Sequence, residues 1–207
     1  MESTQEQGNE MAGLSYALLK KRNGALGYPF YDNGDYNLNI VGIRTDDART
    51  NLFNDWMCLA FRQNDHEQLL VFACTTDPGN YWLKHPMNVD GTAVLKPGHY
   101  RSMFKLGMHR GKYLALTQVG DCTVYRDNNQ DKTIDTGGES QYGRFGINIH
   151  RASPNGTSTQ VDKWSAGCRV IADSGDFDIF MEICKRGGRA FGKFSYTLMT
   201  EQQLWGQ

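Results

Sequence analysis

The residues with the clearest capacity for chemistry are one histidine and one cysteine, eighteen positions apart. His150 ends the segment 145–150, and Cys168 follows Gly167 in a short run of small residues. A thiol becomes a strong nucleophile when a neighbouring group takes its proton, and an imidazole is the usual base. Glycine lets the backbone approach a carbonyl substrate closely, so that N–H groups can face a developing oxyanion. The pair therefore predicts a cysteine acyl-transfer site.

The same two residues also have a purely structural interpretation. Free cysteines are among the most buried residue types, and most of them only pack in a core. A histidine at the end of a strand is often a polar group with one satisfied hydrogen bond and no further role. The surrounding segment has to decide between these two interpretations.

The segment around this pair resembles the signature of the L,D-transpeptidase (YkuD-like) family. In that signature a strand ends in a histidine, a loop follows, and Ser-x-Gly-Cys closes the motif. Here the strand is 146–150 and the closing motif is 165–168. The turn Leu-Lys-Pro-Gly-His-Tyr at 95–100 is similar to a hairpin that precedes the catalytic region of the family. The resemblance covers residues 90–200, and it is strongest at 145–180.

The resemblance implies a mainly β, β-sandwich-like catalytic domain with one main helix after the cysteine, and the local residue pattern adds a short N-terminal helix outside the resemblance. It implies that Cys168 forms a thioester with peptidoglycan stem peptides and that His150 takes and returns the proton. The carbonyl of Arg151 would orient the imidazole, and backbone N–H groups near Gly167 and Cys168 would hold the oxyanion. The thioester would then pass to an amine, giving a cross-link, or to water, giving cleavage of an L,D-peptide bond.

Three positions differ from the family pattern. Arg151 stands where the family often has glycine or serine, and Ala166 stands where a second histidine is frequent. Arg169 follows the cysteine directly, whereas many members have an arginine one position later, so on a strand its side chain would face away from the thiol. The differences at Arg151 and Ala166 favour an alternative, a cell-wall-binding or virion-structural module that keeps the fold without turnover.

Several side chains near the pair are candidates for substrate binding. They are Ser165, Trp164, Arg169 and Arg144. Stem peptides carry carboxylates, and guanidinium groups bind carboxylates well. The alternatives are solvated surface for the arginines, packing for the tryptophan and a turn-shaping role for the serine.

A polar segment predicts a second kind of site, a structural calcium ion. Its residues match positions one, three, five, seven and nine of an EF-hand-type loop: Asp127, Asn129, Asp131, Thr133 and Asp135. Lys132 replaces the usual glycine of such a loop, and Gly138 replaces its bidentate glutamate. A solvated hairpin tip without a metal ion explains the same residues. Any calcium ion here would be structural, because the chemistry predicted at Cys168 requires no cofactor.

Composition limits the other classes of function. The chain has 22 basic and 23 acidic residues among 207, which argues against bulk nucleic-acid binding. No segment has the apolar length of a membrane span, and the polar, acidic first residues are unlike a signal peptide. We therefore expect cytoplasmic synthesis with action at the cell wall, as in a phage or prophage lysin.

The five cysteines have no metal-binding spacing and predict no disulfide framework. Cys58, Cys74 and Cys184 lie in apolar patterns and are expected to be core thiols. Cys168 alone is expected to have a depressed pKa, because of its histidine partner.

The remaining pattern predicts an N-terminal helix or arm within 1–34 and a single catalytic domain over 35–207. The helix is expected at 9–22, before Asn23-Gly24, and the main helix at 174–186, before Gly187-Gly188. Alternating apolar residues predict the following strands: 56–62, 69–74, 99–106, 112–119, 122–126, 145–150 and 194–199.

Overall fold

Eleven strands and four helices make up the part of the chain that the computed structural model describes, residues 13–47 and 49–206. The strands are β1 (Asn39–Arg44), β2 (Asp55–Gln63), β3 (His66–Thr75), β4 (Thr92–Leu95), β5 (Gly98–His109), β6 (Tyr113–Gln118), β7 (Cys122–Asp127), β8 (Ser140–Gly143), β9 (Ile149–Arg151), β10 (Arg169–Ile171) and β11 (Lys193–Thr200). The helices are α1 (Tyr16–Ala25), α2 (Asn80–Lys84), α3 (Ser174–Phe191) and α4 (Glu201–Trp205).

Eight strands close one barrel-like sheet in the order β1-β11-β5-β6-β9-β10-β3-β2, and β4, β7 and β8 form a separate small sheet. The prediction of mainly β structure with a main helix after the cysteine is confirmed. The expected β-sandwich-like arrangement is replaced by closure, because β1 pairs with β2 on one side and with β11 on the other. The interior is filled by large side chains such as Met57, Phe104 and Tyr196, and α3 adds Phe177 and Phe180.

The predicted hairpin between the second and third strands is present, and Asn64 and Asp65 form its turn with φ of 50° and 64°. The predicted strand 145–150 is much shorter than expected, since only Ile149–Arg151 is a strand. The side chain of Asn148 accepts the Gln118 N–H at 2.9 Å, so a side-chain contact stands where the ladder between β6 and β9 would continue.

Helix α3 begins as predicted and runs further. The Asp173 side chain accepts the N–H groups of Gly175 and Asp176, which caps the first turn. The expected end at Gly187-Gly188 is wrong. A Cβ on Gly187 would lie 2.8 Å from the Tyr36 carbonyl oxygen, so this glycine serves close packing instead of ending the helix.

Helix α1 packs on the closed sheet. Leu19 lies in a buried cluster with Val41 of β1 and Met199 of β11. The helix continues through Asn23, whose side chain is buried and donates to the Leu19 carbonyl, so the predicted stop there is wrong. The predicted start at residue 9 lies outside the described residues. Within 13–47 and 49–206, none of the helices combines the length and apolar character needed to cross a membrane.

Candidate active site at Cys168 and His150

The parallel pairing of β9 and β10 brings the two predicted catalytic residues together. Val170 lies opposite His150, so Cys168 lies opposite Asn148. Side chains alternate along a strand, and Ile149 and Ile171 belong to the interior core, so Cys168 and His150 share the outer face. They are diagonal neighbours on adjacent strands, which usual strand geometry places roughly 8 Å apart at Cα.

Cys168 is the only partly exposed thiol of the five. Its Sγ accepts the Asn148 N–H at 3.4 Å and lies 3.6 Å from the Gly146 carbonyl oxygen, to which it donates. The predicted core thiols Cys58, Cys74 and Cys184 are all buried, as expected. Exposure therefore distinguishes Cys168 from the other four.

The imidazole of His150 is held by a backbone carbonyl. Its Nδ1 lies 2.7 Å from the Arg151 carbonyl oxygen, which also accepts from the Tyr113 hydroxyl at 3.3 Å. A carbonyl oxygen can only accept, so Nδ1 carries the proton and Nε2 is the basic nitrogen. The contact that the family resemblance implies for Arg151 is present.

Both reactive groups are uncharged at neutral pH. Burial lowers the pKa of His150 to about 4, the Arg110 charge adds to this, and the Arg151 carbonyl opposes it. Burial also raises the pKa of the Cys168 thiol above its usual value, against the Asn148 N–H and the charges of Arg169 and Arg110. The expected depressed pKa of Cys168 is wrong, because a neutral imidazole offers no positive charge to stabilise a thiolate.

A second imidazole stands beside the first, and it lies outside the Cys168–His150 motif. His109 stacks on His150 with ring centroids 4.1 Å apart. The Asn148 amide nitrogen donates to His109 Nδ1 at 3.2 Å, and the same amide accepts from Gln118, which fixes its orientation. Burial lowers the pKa of His109 to about 4, helped by His150 and Arg110. The only sequence signal for this residue is its place just before the Arg110-Gly111 turn.

The turn before the thiol requires Gly167 and is shaped by Ser165. Gly167 has φ of +112°, and a Cβ there would lie 2.4 Å from the Ala93 carbonyl oxygen. The Ser165 hydroxyl donates to the Cys168 carbonyl at 2.8 Å and accepts the Gly167 N–H at 3.2 Å. Ser165 is fully buried, so the prediction that it binds substrate is wrong.

Arg169 is also fully buried and belongs to the opposite side of the sheet from the thiol. It pairs with Ile149 on the interior side, so it cannot contact a substrate at Cys168. The prediction that it binds substrate is therefore wrong. Trp164, by contrast, is 42% exposed next to this turn and can contact a ligand.

A cleft of about 310 Å³ opens beside the turn, with Ala166 in its wall. The predicted Arg144 lines this cleft together with Arg126, which was not among the predicted site residues. Arg144 pairs with Asp121 through Nε at 3.1 Å and is largely exposed. Arg126 donates to Gln141 and to the Gly91 carbonyl, which leaves its Nη2 without a partner among the described residues.

The predicted calcium loop is held by its own hydrogen bonds. The Asn129 amide donates to Asp131 at 3.0 Å and to Asp135 at 2.8 Å, and Asp131 accepts the Thr133 N–H. Within the described residues no three histidine, cysteine or acidic side chains are arranged to hold a metal ion. Asp127 is fully buried, and its Oδ1 has no partner in the described part of the chain.

Comparison with protein-family models, with curated proteins and with solved structures finds no match for this chain. A functional assignment therefore has to rest on the residues of the site and on their geometry.

We expect iodoacetamide to label Cys168 of the native protein roughly tenfold or more faster than the four buried thiols, which need local opening to react. The rate should still rise above pH 9, because the pKa of the thiol is raised. Peptide mapping after timed labelling measures both. Cys168→Ser should remove the fast label, and a rate that levels off below pH 7 would contradict the neutral pair.

Proposed function

We propose that this protein is a cysteine-dependent enzyme that cleaves or transfers L,D-peptide bonds of peptidoglycan stem peptides. One observation carries the proposal. The only partly exposed thiol shares a sheet face with an imidazole whose Nδ1 is fixed by the Arg151 carbonyl. Its Nε2 is therefore available as a base toward Cys168. The Ser-x-Gly-Cys motif, similar to that of L,D-transpeptidases, supports this substrate class.

The chemistry begins from a neutral thiol and a neutral imidazole. Cys168 Sγ attacks the carbonyl carbon of the L-centre while its proton passes to His150 Nε2. Backbone N–H groups of the turn stabilise the oxyanion. When the tetrahedral intermediate collapses, His150 returns the proton to the leaving amine and a thioester remains. Water or a second amine then releases the acyl group.

The stacked pair of imidazoles supports the role of His150 as base. His109 covers one face of the His150 ring, which limits solvent and favours the neutral form. The amide of Asn148 donates to His109 while the backbone N–H of Asn148 contacts the thiol. This one residue therefore fixes the relative position of the second imidazole and the nucleophile.

The cleft beside Ala166 is suited to the anionic part of a donor peptide. Two guanidinium groups, those of Arg126 and Arg144, lie in its wall, and Phe145 and Met87 add apolar surface. Trp164 stands exposed near the thiol and can cover the peptide chain. The alternative function, a cell-wall-binding or virion-structural module, predicts the same cleft without turnover.

Purified muropeptides with a tetrapeptide stem should be converted by the wild-type protein. Cys168→Ala should abolish conversion, and His150→Gln should slow it roughly 10²- to 10⁴-fold, the usual contribution of a general base. The value of kcat/KM should fall as the pH drops through about 4, where His150 takes a proton and stops acting as a base. Mass spectrometry of the products measures the conversion.

The matched control is Cys58→Ala, which removes a buried thiol far from the site and should retain turnover. Released tripeptide identifies water as the acceptor, and an exchange product with an added D-amino acid identifies an amine. Wild-type protein that binds muropeptides without converting them would contradict the enzyme and favour the binding module.

Arg144→Gln should raise KM for a donor with a free carboxylate roughly two- to fivefold, the usual strength of an exposed ion pair, with little change in kcat. A second donor carries an amide in place of this carboxylate. The same substitution should leave KM for the amidated donor unchanged, because that donor has no negative charge at this position. Steady-state kinetics on both donors measure the difference. Arg189→Gln, an exposed arginine on α3, is the matched control. An equal change for both donors would contradict a carboxylate contact.

A structural calcium ion at the loop 127–135 is a separate part of the proposal. Burial and the nearby charges of Asp135 and Asp131 raise the pKa of Asp127, against the Asp135 N–H. A bound cation would therefore stabilise the ionised form of the Asp127 carboxylate. Its Oδ1, buried and without a partner in the described residues, is the atom best placed to bind the ion.

Calcium at tenfold its dissociation constant should raise stability by roughly 1.4 kcal/mol, and so Tm by roughly 3–6 °C. Thermal melts in millimolar calcium and in chelator measure the shift. Asp131→Asn should reduce it, whereas Asp65→Asn, in an exposed hairpin turn, should not. A Tm that is identical in calcium and in chelator would leave only the hairpin-tip interpretation.

A further inference from the structure

We propose that the buried Arg169 is a positioning residue for the oxyanion: it fixes and polarises the Gly167–Cys168 peptide, whose N–H faces the developing charge. This inference rests on the acyl-transfer chemistry proposed for Cys168, but it does not depend on which acyl donor is the natural one. Arg169 thus has a role in the proposed chemistry, although its burial excludes direct contact with a substrate.

The burial of Arg169 is complete, and its hydrogen bonding is sparse. Its side chain has no exposed surface, and it forms no ion pair with any described residue. Its Nη2 donates to the Gly167 carbonyl oxygen at 2.5 Å, while Nε and Nη1 lack partners among the described residues. A guanidinium stays charged in proteins, and a buried charge acts strongly on the few groups that contact it. Here that group is one carbonyl.

The peptide geometry carries this effect to the catalytic side of the sheet. No described peptide bond is cis, so the Gly167 carbonyl and the Cys168 N–H point in opposite directions across the same peptide plane. The guanidinium holds the carbonyl from the interior side. The Cys168 N–H is therefore directed away from the interior and toward the outer face of the sheet. The thiol and its substrate lie on that outer face.

The neighbouring N–H groups are already engaged. The Gly167 N–H donates to the Ser165 hydroxyl, and the Arg169 N–H donates to the Asn148 carbonyl. The Cys168 N–H donates to no residue in the described part of the chain. Of three consecutive donors, the one on the nucleophile itself is thus free to bind an oxyanion.

Polarisation makes this donor stronger. A hydrogen bond accepted by an amide carbonyl strengthens the bond that the same amide donates. The other side of the turn is also fixed, because Gly167 packs against the Ala93 carbonyl with no room for a side chain. A donor that is already oriented needs no reorganisation when the charge develops, and such donors contribute strongly to catalysis.

The test uses p-nitrophenyl acetate, a simple acyl donor, with the full-length protein. At the high-pH plateau, where the thiol is ionised, the Cys168 thiolate attacks the acetyl carbon, the C–S bond forms, the ester C–O bond breaks and p-nitrophenolate leaves. The burst of p-nitrophenolate gives the acylation rate. Alkylation by iodoacetamide gives a second rate for the same thiol, by a displacement that forms no oxyanion. Both are compared at their plateau at high pH, so that ionisation of the thiol cancels.

Arg169→Met keeps side-chain volume without charge, and it should lower plateau acylation roughly tenfold or more while alkylation stays unchanged. Arg169→Lys keeps the charge and should lie between this variant and the wild type, which preserves the test if the methionine variant fails to fold. Tyr196→Phe removes a buried hydroxyl without a described partner from the same interior, and it should change neither rate.

Three results would overturn the inference. Equal loss of both rates would show that Arg169 only maintains the turn, and unchanged acylation in a folded Arg169→Met protein would show that it has no role at the oxyanion. Absence of wild-type acylation at Cys168 would also reject it, because no oxyanion site would then exist. Failure of the proposed function looks different: the ester acylates Cys168, but muropeptides are not converted.

Discussion

The candidate site depends on the parallel pairing of two strands of only three residues each. This register sets His150 opposite Val170 and thereby Cys168 beside Asn148. So short a ladder contributes few hydrogen bonds, and the connection between the strands is a loop instead of the usual helix. A small apolar cluster that contains Phe53, Val161 and Val170 packs this loop against the sheet. Packing around the strands thus maintains the pairing that the strands could not maintain alone.

Asn148 connects the parts of the site more than either predicted catalytic residue does. Its side chain interrupts the ladder by accepting the Gln118 N–H, and it donates to His109. Its backbone N–H contacts the thiol, and its carbonyl accepts from Arg169. These fixed contacts of Asn148 explain why β9 begins only at Ile149. The interruption of β9 and the assembly of the site have one cause.

The local patterns predict the strands and the helices well, because alternation and caps are visible in a few neighbouring residues. The hairpin 56–74, the start of α3 at Ser174 and the buried thiols follow from such patterns. Closure of the sheet could not be predicted, since the pairing of β1 with β11 joins residues that are far apart in the chain. Short strands such as β4 and β10 have too few residues to show a period.

Of the candidate site, only the two residues of the sequence motif could be predicted. Cys168 and His150 are recognisable from residue type and spacing, and the structure places them on one face. His109 joins them from the end of a different hairpin, and no local pattern connects it with His150. The pKa of Cys168 was predicted in the wrong direction, because burial is a property of the whole fold and outweighs a neutral neighbour.

The uncharged state of the Cys168 thiol also affects the rate at which oxidants react with it. Peroxides attack the thiolate, so the rate of sulfenic acid formation follows the fraction of thiol that is ionised. With the pKa of Cys168 raised, that fraction is small at neutral pH, even though this is the only cysteine with exposed surface. Burial of Cys168 is therefore expected to slow its oxidation relative to that of an exposed thiol with an ordinary pKa.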